Sequence, residues 1–166
     1  MFPGPRPHYE TYFGMVDVGP GRALWFRYTL LDGARREAAT WAVFFDGDRV
    51  TQAKAARPLE ELETGDPGAY RHSGASLHAA GAEGSAGTIA WELKWEDRGR
   101  HFSHVPPLAR TLGLAKSSYH CPLADLRVSG RVHVADEEFE VSGVTGMLGH
   151  IEGARTAHGW AWAHCN

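Results

Sequence analysis

Between Gly143 and Asn166 the chain gathers three histidines (His150, His158, His164), one carboxylate (Glu152) and two tryptophans (Trp160, Trp162). Side chains of these types suit proton transfer beside an apolar wall. An imidazole titrates near neutrality. A carboxylic acid enclosed by apolar groups is pushed up in pKa and stays protonated more readily. An indole face stabilises a passing cation. The strip could thus provide an apolar wall with polar groups, His150 and Glu152 among them, at fixed points. The same strip has a plainer reading: tryptophans fill small β cores, and their N–H groups need partners that histidines provide. Both readings stand at this point.

Such groups converge only if extended backbone lines them up. Gly146, Gly149, Gly153 and Gly159 punctuate the segment, and glycine in a strand pattern marks a bulge or bend. The spacing predicts a bent strand, a turn, and a returning strand from Ala157 to Cys165. There His158, Trp160, Trp162 and His164 share one face, because side chains alternate.

Upstream, the pattern is hairpin after hairpin. From Tyr9 onward, Tyr9, Thr11 and Phe13 take one face and Glu10, Tyr12 and Gly14 the other. Ala23 to Leu31 and Trp41 to Phe45 follow as strands, separated by turn signals at Gly19-Pro20-Gly21 and Asp32-Gly33. Asp46-Gly47-Asp48 turns into a strand over Arg49 to Ala56, and Leu59 to Leu62 makes one helical turn. A short strand is expected at Leu77 to Ala80. Thr88 to Glu96 alternates most clearly, with Ile89, Trp91, Leu93 and Trp95 against Glu92, Lys94 and Glu96. Arg98 to Pro122 reads as a long connection with a short helix over Leu108 to Leu114. Ala124 to Val134 and Glu138 to Val144 form another pair. About eight to ten strands with hardly any helix predict an all-β, antiparallel fold, either a lipocalin-like barrel or a barrel-like sandwich.

The runs at residues 23–26 and 41–45 are apolar on both faces. One face would line the interior, and the other would pack on a second lobe, a partner subunit or a flap of the same chain; ordinary burial beneath residues 58–87 is the alternative. The 166 residues suit one domain, taken as 9–166 after a flexible lead-in. With 17 Lys+Arg against 20 Asp+Glu and no basic run, nucleic acid is not an expected partner. No segment approaches the ~20 apolar residues of a membrane-spanning helix. Residues 1–7 are Pro- and Gly-rich without an apolar export signal, so the cytoplasm is the expected compartment. Cys121 and Cys165 are too few for a disulfide framework, and free thiols are the default. No cofactor is expected. A metal bound by His150, His158 and His164, or by His101 and His104, with Glu152 as a carboxylate ligand, is set aside because the spacing matches no familiar zinc pattern.

Several motifs resemble a known family. His8-Tyr9-Glu10 with Phe13, the run Ala23 to Thr29, and Trp41 to Asp46 resemble the opening strands of the AttH-like and carotenoid 1,2-hydratase (hydroxyneurosporene synthase) group. Tocopherol-cyclase-like proteins are more distantly similar. Gly146-Met-Leu-Gly-His150, Gly153, His158 and Trp160-Ala-Trp162 look like that group's Gly-His-x-Trp-Gly … Trp-x-Trp pattern, except that Glu152 stands where Trp is expected. The resemblance implies a lipocalin-like (calycin-type) barrel, commonly one of two in tandem, of which this chain corresponds to the first lobe. It also implies work on isoprenoid or other hydrophobic small molecules.

Two functions of different kind follow. In one, the barrel holds a hydrophobic small molecule and catalyses acid-assisted hydration, cyclisation or isomerisation. His150 or Glu152 donates the proton. Trp25, Trp41, Trp160 and Trp162 line the cavity with His158 and His164, and Tyr28 or Tyr119 places a water. In the other, the same barrel binds without catalysis, or serves as an interaction lobe in a homodimer or against a second lobe.

Overall fold

In the computed structural model the backbone is described for residues 8–63, 70–72, 74–112 and 114–154. The first four strands are a meander: β1 (His8–Gly19), β2 (Arg22–Asp32), β3 (Arg36–Asp46) and β4 (Arg49–Pro58). Their turns fall at the glycine-rich steps the sequence marks, with Gly21 at φ +71° and Gly47 at φ +59°, values that cost glycine little. A single 3-10 turn, Leu59–Glu61, follows where Leu59 and Leu62 were expected to make one. Beyond it come β5 (Tyr70–His72), β6 (Ala75–His78), β7 (Gly81–Ala86) and β8 (Ile89–Asp97). Two short elements, β9 (Phe102–Ser103) and the helix α1 (Pro107–Thr111), lead to the long strands β10 (Ser117–Val134) and β11 (Glu137–Gly153).

All pairings are antiparallel, in the order β4-β3-β2-β1-β11-β10-β8-β7-β6-β5, with β9 on β10. The fold is the expected all-β, antiparallel, barrel-like one. Its two outer strands, β4 and β5, are not hydrogen-bonded to each other, so the sheet curls without closing. The join between β1 and β11 brings opposite ends of the described chain side by side, with Tyr12 opposite His150 and Glu10 opposite Glu152.

Curling is driven by the inner face. Leu24, Phe26, Tyr28 and Leu30 of β2 and Ala38, Ala42 and Phe44 of β3 are buried against Ala82, Ala86, Ile89, Trp91 and Leu93 of β7 and β8. Burial of this apolar surface is what holds the two halves together, at roughly 25 cal/mol per Å² removed from water. The contact is close: a Cβ on Gly87 would lie 2.8 Å from the Cβ of Ala53 in β4. Two polar groups in this core satisfy each other. The Trp91 indole N–H donates to the Tyr28 hydroxyl at 2.9 Å, and that hydroxyl donates to the Glu83 carbonyl at 2.7 Å.

The structure starts β10 earlier than expected and joins the expected strand Glu138 to Val144 and the bent strand after it into one, β11. β10 starts inside the segment read as a loop, at Ser117, and β11 runs on through three glycines to Gly153. The ladder shifts register between His120 and Leu123, between Leu123 and Leu126, and between Val128 and Gly130. These bulges let strands this long bend with the barrel. Alternation in β8 is as predicted, with Ile89, Trp91, Leu93 and Trp95 buried and Glu92, Lys94 and Glu96 exposed. Both the lead-in and the expected returning strand Ala157 to Cys165 lie outside the described residues. Among the described residues no helix is long and apolar enough to cross a membrane.

Candidate functional site

Residues opposite one another on paired antiparallel strands share a face. The registers His120↔His150, His150↔Tyr12, Tyr12↔Tyr28 and Tyr28↔Thr40 therefore place one row of side chains across five strands. Two residues along each strand, Ser118, Glu152, Glu10 and Leu30 form the next row on the same face. Tyr28 and Leu30 belong to the buried core, so both rows lie on the inner face. The polar groups cluster at the β10-β11-β1 side of this face, and the apolar ones at the β2-β3 side.

His150 is the hub. It is 6% exposed. Its Nε2 lies 2.9 Å from Glu10 Oε1, and its Nδ1 lies 3.1 Å from His120 Nε2. A carboxylate only accepts, so with Glu10 ionised Nε2 carries the hydrogen. The tautomer is thereby set, and Nδ1 faces the second imidazole. The Tyr12 hydroxyl donates to the same Glu10 oxygen at 2.7 Å, and the Tyr12 ring stacks on His150 with centroids 4.1 Å apart. The His120 ring meets His150 edge-on at 4.6 Å. His8 Nε2 approaches the other Glu10 oxygen at 3.8 Å. Ser118 Oγ donates to Glu152 Oε1 at 3.3 Å.

Burial alone would raise the Glu10 carboxyl. The hydrogen bonds from His150 and Tyr12, with the neighbouring imidazoles, outweigh it and hold Glu10 below its ordinary value. Tyr12 is pushed well above the usual phenol value, by burial first and then by the Glu10 charge and hydrogen bond and by Glu152. The site thus holds an ionised carboxylate beside a neutral phenol and two imidazoles.

Of the residues expected to act together, the structure brings His150 and Glu152 onto the inner face with Tyr28. The Tyr28 hydroxyl is committed to Glu83 and Trp91 and sits two strands from His150. Trp25, Trp41 and Tyr119 fall at odd positions of the same registers and occupy the opposite face. There the Trp41 N–H donates to Thr29 Oγ1 at 3.2 Å, Lys54 lies over the Trp41 ring at 4.7 Å, and Tyr119 stacks with Phe13 at 6.0 Å. His158, Trp160, Trp162 and His164 lie outside the described residues. Glu10, Tyr12 and His120 were not singled out from the sequence as site residues. The alternation His8, Glu10, Tyr12 was the available signal, but nothing local says that their face meets His150.

A separate open groove of about 760 Å³ runs along β5 to β8, lined by Arg71, His72, His78, Glu83, Trp91 and Glu92 among others. It shares no residue with the His150 cluster. Its polar residues include exposed His78 and Glu83, whereas the His150 cluster combines burial, convergent hydrogen bonds and perturbed ionisation, which are the marks of a site.

No family model matches the chain. Two uncharacterized proteins of Mycobacterium tuberculosis, one each from strains CDC 1551 and H37Rv, are 22% identical over 126 residues, 76% of this chain and 38% of theirs. The chain thus spans well under half the length of these relatives. Among solved structures, a protein of Nitrosomonas europaea provisionally described as AttH superposes with a TM-score of 0.63 at 11% identity, over 92% of this chain and 52% of that one. CghA, solved with Sch210972, gives 0.54 at 16% identity over 89% and 46%. At these identities the likeness concerns the fold, which is lipocalin-like and of AttH type.

Proposed function

We propose that the chain binds a hydrophobic small molecule of isoprenoid or lipid-like class within its barrel, with the Glu10–His150–His120 cluster receiving the ligand's polar or unsaturated end. The supporting observation is a buried imidazole held between a carboxylate and a second imidazole, on a face whose β2 side is apolar. A site needs this combination of greasy wall and few convergent polar groups. The fold neighbour CghA, solved with Sch210972, supports the reading that such barrels hold small organic molecules.

The proposed chemistry is acid-assisted hydration, cyclisation or isomerisation. Glu10 orients His150, and His120 relays the proton. Glu152 stands beside them as the second carboxylate. A carboxylate-paired imidazole is a moderate acid and base, so isomerisation by proton removal and return asks least of these groups. Tyr12, kept neutral, supplies a stacked ring and a hydroxyl.

The test is a fluorescence titration with cis-parinaric acid. Wild type should take up the probe saturably. His150→Ala and Glu10→Gln should bind about ten-fold more weakly, the equivalent of one lost charge-assisted hydrogen bond. His133→Ala, in a surface pair with Glu138 at 3.2 Å, should bind as wild type does. Undiminished binding by both site variants would overturn the assignment.

A second reading, a non-catalytic lobe that packs on another lobe or subunit, is supported by the partly exposed aromatic residues Trp25, Trp41 and Tyr119 on the opposite face. Sedimentation of the purified chain tests its homodimer form.

A further inference from the structure

The strands put two carboxylates directly opposite each other on the inner face, Glu10 across from Glu152. Like charges in that relation repel, and partial burial strengthens the repulsion. His150 sits diagonally between them, and one ligand atom from each of the three residues can be chosen so that all lie within 4.8 Å of one another. We propose that Glu10, Glu152 and His150 form a binding site for one divalent transition-metal ion of the zinc class.

Three features of the surroundings fit a built metal site. Three atoms within 4.8 Å of one another lie no more than about 2.8 Å from a shared centre, so side-chain shifts of up to about 0.8 Å reach the ~2.0–2.1 Å of zinc–oxygen and zinc–nitrogen bonds. Each ligand also has its own outer partner: Tyr12 OH on Glu10 at 2.7 Å, Ser118 Oγ on Glu152 at 3.3 Å, and His120 Nε2 on His150 Nδ1 at 3.1 Å. Such partners orient metal ligands and are typical of their second layer of contacts. Finally, two carboxylates neutralise a dication, and a mixed oxygen–nitrogen donor set suits zinc and its first-row neighbours more than a soft, thiolate-seeking ion.

Without the ion, the hydrogen on His150 Nε2 bridges to Glu10. For Nε2 to hold the ion, neutral His150 would change tautomer, its hydrogen moving to Nδ1 and donating to His120 Nε2, while His120 would carry its own hydrogen on Nδ1. Spacing along the chain could not expose this set, because Glu10 and His150 are 140 residues apart. The inference stands independently of the hydrophobic ligand proposed above.

The experiment titrates the whole chain, stripped by chelator, with cobalt(II) and then zinc(II), following the cobalt d–d absorption bands and calorimetry. One ion per chain is expected, with cobalt displaced by zinc. Glu152→Gln, which keeps the size of the side chain and its Ser118 contact, should weaken binding at least about ten-fold, as should His150→Ala. His133→Ala should bind as wild type does. Circular dichroism of each variant checks folding, and Glu152→Gln alone decides if His150→Ala does not fold. Absence of a cobalt band in wild type, or equal affinity in Glu152→Gln, would overturn the site; loss of metal with parinaric acid uptake intact would leave the ligand reading standing.

Discussion

Tyr28 carries its hydroxyl into the centre of the barrel and resolves two problems at once. It accepts from the Trp91 indole and donates to the Glu83 carbonyl. Tyr28→Phe removes that link and leaves a buried N–H and a carbonyl to find other partners. The expected cost is about 1–3 kcal/mol, read as a lower urea midpoint at unchanged slope; a midpoint equal to wild type would show that the link is replaceable. His150 has the opposite character, because its partners are ionisable rather than structural. From the sequence His150 and Glu152 stood out by their place among glycines and tryptophans. Their partner Glu10 did not, because a lone glutamate in an alternating strand looks like any half-exposed side chain until β1 pairs with β11. Trp25 and Trp41 show the reverse limit: residue type suggested a ligand wall, but strand parity assigned them to the other face. Parity was readable within each strand, whereas the side that faced inward was not.

At the scale of elements, the hairpins of β1 to β4 and the alternation of β8 were legible because turn glycines and period-two patterning agree there. The pattern places the start of β10 too late because Pro122 resembles a break, and it divides β11 into a strand ending at Val144 and a bent strand through the glycines of 143–153. In the fold these residues are accommodated at register shifts and bends within continuous strands. Gly130 is the sharpest example. Its φ is +144°, and a Cβ there would sit 2.0 Å from the backbone oxygen of Glu92 in β8. A backbone carbonyl held in a ladder cannot move aside cheaply. Gly130→Ala should therefore destabilise by about 1–3 kcal/mol. Gly19→Ala isolates the contact, since Gly19 has a similar φ of +133° with nothing within 4 Å. Equal urea midpoints for the two variants would mean that backbone strain alone, and not the approach to Glu92, sets the cost.

Across the whole molecule, one curled sheet encloses an interior that is apolar toward β2 and β3 and polar toward β10, β11 and β1. The interior is sensitive to alkali. Burial raises Tyr12, Tyr28 and Tyr70 above the ordinary phenol value of 10.0. In the unfolded chain these phenols ionise first, so the unfolded state gains as pH climbs past that value. Stability should be level below it and fall above it. Urea unfolding at about pH 8 and about pH 11 reads the difference, and Tyr28→Phe should flatten part of the decline. No change between the two would place these phenols in water rather than in the core. The barrel-like architecture was legible from strand count and turn spacing. The meeting of its first and last described strands, on which the candidate site depends, is a long-range pairing that local patterns do not encode.

If the Glu10–His150–His120 cluster receives the ligand, the nitrogen-15 spectrum of the histidine rings in chelator-treated protein will record it. His150 should show a protonated Nε2 and an Nδ1 engaged with His120. Saturating parinaric acid should shift His150 and His120 and leave surface His133 unmoved. Shifts confined to His133, His78 or His101, with the His150 ring unchanged on saturation, would contradict it.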